Sequence, residues 1–165
     1  MFSCEERVNE LLPGRCREWS EFRGQRHLTM VREDLLPTMR VLRDSLHMNM
    51  LVDVTAVDRL EYEGAKDRFE VVYFLLNVDT SQRLIASVFL NEPELEIDSV
   101  YSLWKSADWL EREVFDMFGI RFRGHPNMKR LLLPEQFAAH PLRKDYPVQG
   151  RGERHNFPVI TRASS

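Results

Sequence analysis

The sequence is poor in the features that announce chemistry. Its two cysteines, Cys4 and Cys16, are too few for an iron–sulfur centre, which normally takes four thiolates. Near the N-terminus of a chain without secretory features, they are expected to remain free thiols. The longest apolar run, Val71 to Leu76, falls far short of the roughly 20 residues a membrane helix needs. The opening MFSCEERVNELL carries acids from the fifth residue and no apolar block behind a basic start, so neither a secretory signal nor a transit peptide is expected. Phosphate loop, GxGxxG, GxSxG and HExxH patterns are all missing. What is left is a globular composition, 43% hydrophobic and 30% charged over 165 residues, enough for one compact domain and an appendage.

Charge is unevenly placed. Residues 1–120 hold 14 Lys/Arg against 23 Asp/Glu, whereas residues 121–165 hold 9 against 3. The basic residues of the second part are interleaved with Pro, His and Leu rather than with aromatic pairs, which does not point to nucleic acid. The division predicts an α+β domain over 1–120 and an extended basic tail over 121–165.

Within the first part, Cys4–Leu12 has helical spacing and stops at Pro13-Gly14. Arg17–Val31 reads as a hairpin around Gly24. Glu33–Leu46 puts Leu35, Leu36, Met39, Leu42 and Leu46 on one stripe, with Pro37 early enough to be tolerated. Met50–Val57, Arg68–Val78 and Arg83–Leu90 are rich in β-branched and aromatic residues and read as strands; Glu92–Asp98 reads as a loop. Helices packed on one face of a mainly antiparallel sheet are therefore expected.

Ser106–Phe118 predicts a further helix, closed at Gly119 where a left-handed cap is usual. Asp108, Arg112 and Asp116 recur at four-residue steps and could form an ion-pair ladder on an exposed face. Alternatively, Glu111, Glu113 and Asp116 project acids toward a partner's arginines. Beyond Gly119 come His125-Pro126, three leucines at 131–133 and His140-Pro141-Leu142-Arg143-Lys144-Asp145-Tyr146-Pro147. Prolines keep such a run extended, and a segment with so little core of its own is expected to be ordered by another surface. A metal site on His125, His140, Asp145 and His155 is the main chemical alternative, although the spacing matches no compact ligand pattern. An acid/base pair of Glu111 and Glu113 is disfavoured, because residues two apart on a helix face different ways.

The run EREVFDMFGIRFRGHP followed by HPLRKDYP resembles the signature of the 30-kilodalton subunit family of NADH:quinone oxidoreductase, respiratory complex I. LVDVTAVD at 51–58 is a looser upstream match. The resemblance implies a non-catalytic subunit of the hydrophilic arm of a proton-pumping complex, or its equivalent in a related energy-converting hydrogenase. It implies no cofactor or metal on this chain, with NADH, FMN, iron–sulfur clusters and quinone used elsewhere in the complex. The implied partners are the quinone-site (49 kDa-like) subunit and the iron–sulfur subunits. The implied location is peripheral, on the cytoplasmic face of the bacterial inner membrane. By the same resemblance, Glu111, Arg112, Glu113, Asp116, His125, Pro126, Arg130, His140, Pro141, Arg143, Lys144 and Asp145 would be partner contacts.

Overall fold

The computed structural model describes residues 4–13 and 17–152; His155, Cys16 and the end of the expected tail lie outside them. Helix α1 (Cys4–Leu11) anchors through Val8, which is fully buried. Strands β1 (Arg17–Phe22) and β2 (Gln25–Met30) form the expected hairpin. Its two-residue turn places Arg23 and Gly24 at φ 52° and 77°, the left-handed pair that matches strand twist. A short 3-10 turn, Arg32–Asp34, holds Glu33 and Asp34, and α2 (Leu35–Asp44) follows.

Strands β3 (Met50–Asp58), β4 (Phe69–Leu76) and β5 (Arg83–Leu90) form an antiparallel meander. β5 also pairs in parallel with β2, giving the order β1-β2-β5-β4-β3. Period-two alternation sends Phe69, Val71, Tyr73 and Leu75 of β4, and Leu84, Ala86, Val88 and Leu90 of β5, to one buried face. There they meet Leu35, Met39 and Leu42 of α2 and, on α3 (Ala107–Phe118), Val114, Met117 and Phe118. Each of the Val, Leu, Met and Phe side chains contributes about 1.5–3 kcal/mol by leaving water. The α+β layout with helices on one face is as the pattern predicts.

Two expectations change. The stretch expected as a loop contains β6 (Glu96–Asp98), which pairs in parallel with β7 (Arg121–Arg123). Residues 121–123, expected as the start of the tail, are thus paired to the domain, with Phe122 in the core directly after the buried Ile120. No local pattern announces a three-residue strand whose partner lies 25 positions away.

Gly119 caps α3 at φ 79°. A Cβ there would lie 2.6 Å from Nε2 of His140 and 2.8 Å from Nη2 of Arg143, so the position needs glycine for both backbone and space. Gly119→Ala is expected to cost about 2 kcal/mol or more, adding left-handed strain to the clash. Thermal unfolding should report it as a melting temperature lower by roughly 6 °C.

Candidate functional site: the strap on helix α3

Helix α3 carries acids on its buried side, and the chain beyond β7 folds back to meet them. Asp116 is fully buried. Its Oδ1 accepts from Arg130 Nη1 at 2.6 Å, and its Oδ2 accepts three successive backbone N–H groups, from Leu131, Leu132 and Leu133, at 3.0, 2.7 and 2.9 Å. Burial pushes this carboxyl's pKa up, but the three amides and Arg130 outweigh it and hold it below the ordinary value. Asp116 is therefore an ionised buried anion in a backbone nest.

The last carbonyls of the helix are also closed by the strap. Phe115 accepts from Gly119 N–H, Asp116 from His140 Nδ1–H and Arg130 Nη1, Met117 from Leu142 N–H, and Phe118 from Arg143 Nε at 2.6 Å. A helix end normally leaves these acceptors to caps or water. Here residues 130–143 are the cap. Arg130 also reaches the Ala139 carbonyl, and Arg112 the carbonyls of Lys129 and Arg130. The expected ladder of Asp108, Arg112 and Asp116 does not form, because Arg112 and Asp116 are drawn to the strap.

The strap ends in a second knot. Asp58, at the end of β3 and 2% exposed, accepts from Leu60 N–H, from Arg68 and from Lys144 N–H at 2.9 Å. Burial raises its pKa, and these donors more than reverse that. Arg68 also binds Asp145 at 2.8 Å and Glu92 at 2.9 Å. Glu92 in turn accepts from Arg143 at 3.0 Å. Burial would lower the Arg68 pKa, but Asp58 and Asp145 raise it. Both guanidiniums lie over the Phe69 ring, at 4.8 and 5.3 Å, within cation–π range. Sequence reasoning does not single out Asp58, Arg68 or Glu92. The available signal is Asp58 itself, an acid at a core-facing position two residues after Ala56 and four after Val54.

Glu111 is fully buried as well, so the expectation that Glu111 and Asp116 project outward is corrected. Its oxygens accept from Ser99 Oγ at 2.6 Å and Val100 N–H at 2.7 Å, tying α3 to the loop before it. Burial pushes its pKa up to about 7, opposed by those two donors. Glu113 stays exposed, as do Pro126 and Lys144, while Pro141 is half-buried. His125, whose side chain is fully buried, donates Nε2–H to the Asp108 carbonyl and accepts Asn127 N–H at Nδ1. Burial, with Arg143 and Arg130 nearby, lowers the pKa of His140. Among the described residues no three His, Cys, Asp or Glu side chains converge as metal ligands. Likewise, no helix among them is long and apolar enough to cross a membrane.

Of the expected contact residues, Asp116, Arg130, His140, Arg143, Lys144 and Asp145 are brought together by the strap, Arg112 reaches it, and Glu111 and His125 hold separate loops. Facing outward around them are Trp109, 61% exposed with Arg112 at 5.2 Å from its ring, and Leu132, also 61% exposed.

Fold and site together define a small α+β scaffold whose buried charges hold its own extended strap. The family described as respiratory-chain NADH dehydrogenase, 30 Kd subunit, matches residues 28–152. An NADH-quinone oxidoreductase subunit of this kind from Citrifermentans bemidjiense is 47% identical over 131 residues, covering 79% of this chain and 80% of the relative. The protein of the same description from Geobacter sulfurreducens is 44% identical, covering 79% of both chains. A solved trypsin-resistant fragment (1-134) of Nqo5 aligns at TM-score 0.62 and 30% identity, over 67% of this chain and 89% of the fragment. A chain of the archaeal membrane-bound sulfane sulfur reductase shares the fold at TM-score 0.73 and 20% identity, over 94% and 89%. The chain belongs to the 30-kilodalton subunit family of respiratory-chain NADH dehydrogenase.

Two outcomes follow from the carboxylates. Asp116→Ala leaves three amides and a buried guanidinium without their acceptor, and is expected to cost about 3–5 kcal/mol. Limited trypsin digestion of the full chain should then cut first at Lys129, Arg130, Arg143 or Lys144. For Glu111, a folded-state pKa raised from 4.5 to about 7 means that the folded form holds a proton the unfolded form releases. Stability from this group is complete below the lower value and is lost as pH rises toward the upper one. Urea titrations should show wild type losing on the order of 3 kcal/mol across that window relative to Glu111→Gln, whose Oε1 still accepts from Val100 N–H and whose Nε2–H can donate to Ser99 Oγ.

Proposed function

We propose that this chain is a non-catalytic docking subunit of the peripheral arm of an NADH:quinone oxidoreductase, held at the membrane's cytoplasmic face through the complex. Its proposed partners are the quinone-site subunit and the iron–sulfur subunits, which supply the redox groups; the chain itself carries none. The observation that most supports this reading is the division of labour around α3. Asp116, Arg130, Arg143 and Asp145 are engaged within the chain, while Trp109, with Arg112 over its ring, and Leu132 face outward. Interface centres are enriched in aromatics and arginine and depleted in free charge. Glu113, Pro126, Lys129 and Lys144 are exposed and free to meet the same partner. Asp116, Arg130, His140, Arg143 and Asp145 act on the partner through the shape they give the strap, and Glu111 through the loop it ties to α3.

A tagged full chain purified from native membranes should bring down the other subunits with NADH:quinone activity; recovery of the chain alone would overturn the reading. Trp109→Ala with Leu132→Asp should lower the recovered complex about tenfold or more, since hot-spot truncations cost roughly 2 kcal/mol each. The melting temperature of the free chain should barely move.

A further inference from the structure

The sheet face turned away from the helices has no covering element among the described residues. Strand alternation places Val57, Phe74, Ile85 and Phe89 on it, all partly exposed, with Val72 between them. Its central polar pair satisfies itself, His27 Nε2 lying 2.8 Å from Ser87 Oγ. Where β2 and β5 end, the face runs into a cleft of about 730 Å³ floored by Val31 and Phe89 and lined by the carboxylates of Glu18, Glu33, Asp67, Glu92 and Glu94. Arg32 is the one cation among the described residues of the lining, and it pairs with Glu33 and Glu94. Glu92 is taken by Arg68 and Arg143. Asp67 accepts from Asn91 Nδ2, and Glu18 has no partner among the described residues. Apolar sheet and acidic cleft are one surface, because Glu18, Thr29 and Phe89 belong to both.

We propose that this corner receives a basic amphipathic segment of a partner protein. A Lys or Arg enters the cleft, its aliphatic stem lies along Val31 beside Phe89, whose ring already carries the Arg59 guanidinium at 4.9 Å, and its charged head meets Glu18 and Asp67. The apolar side of the same segment covers Phe74 and Ile85. With Glu33, Glu92 and Glu94 matched to arginines, Glu18 and Asp67 leave the cleft net negative, which repels phosphate and disfavours anionic lipid and nucleic acid as occupants. The inference rests on reading the chain as a docking subunit, and it adds a second contact surface that meets the strap's second knot at Glu92.

A photo-crosslinking residue, p-benzoylphenylalanine, placed at Val31 of the tagged full chain tests this in membranes before purification of the complex. The expected product joins Val31 to a Lys- or Arg-bearing peptide of another polypeptide of the same complex. Glu18→Lys with Asp67→Lys should reduce that product about tenfold, equivalent to 1.4 kcal/mol. The milder Glu18→Gln with Asp67→Asn should reduce it in the same direction if the reversed pair folds poorly. Cross-links only to lipid, to nucleic acid or to an acidic peptide, or none at all, in a complex that still copurifies would overturn the inference and leave the docking reading standing. If no other polypeptide is recovered with the tagged chain, both fail together.

Discussion

One buried carboxylate, Asp116, gives the C-terminal half of this chain its shape. An extended, proline-punctuated segment has no ladder of its own for its amides, and a buried amide without an acceptor costs about 1–3 kcal/mol. Three such amides, from Leu131 to Leu133, converge on a single oxygen of Asp116, and Arg130 neutralises the other. The reverse holds at the helix end, where the terminal carbonyls are the acceptors for His140, Leu142 and Arg143. Helix end and strap are thus each other's caps, and neither can be removed without stranding polar groups on the other.

Two carboxylates on the same helix, both fully buried, are held in opposite ways. Asp116 has three amides and a guanidinium, and its pKa falls; Glu111 has two neutral donors and no cation, and its pKa rises to about 7. Burial alone does not decide the charge of a buried acid; the number and charge of its donors do. This is why Asp116 can organise a strap, whereas Glu111 serves as a local tie between α3 and the loop at Ser99 and Val100.

What is legible in the sequence is local. The strands, the helices and the Gly119 cap follow from periodicity and from backbone chemistry read over a few residues. The family signature makes Asp116, Arg130, His140, Arg143 and Asp145 expected partner contacts. It does not reveal that each has a partner inside the chain, because Lys144 N–H meets Asp58 across 86 positions and Arg68 meets Asp145 across 77. Contacts of that separation leave no periodic trace. The pairing of β6 with β7 escapes for the same reason. An extended basic run gives the same sequence pattern whether it closes on its own domain or on another.

The opposed charges of the two parts of the chain then take on a definite meaning. Arg130 and Arg143 come from the basic part, and Asp58, Glu92 and Asp116 from the acidic part; the strap brings these together in two knots at either end of its path. The asymmetry is first a device for self-docking. Once it is subtracted, Trp109 and Leu132 stand exposed beside the strap, while Glu18 and Asp67 line the cleft at the corner of the sheet. Charge used internally fixes the geometry, and what remains outside differs between the two sides: apolar and aromatic at the strap, anionic at the sheet corner. A scaffold built this way can present two chemically distinct faces from one folded unit, because the charges that would otherwise blur them are spent on each other.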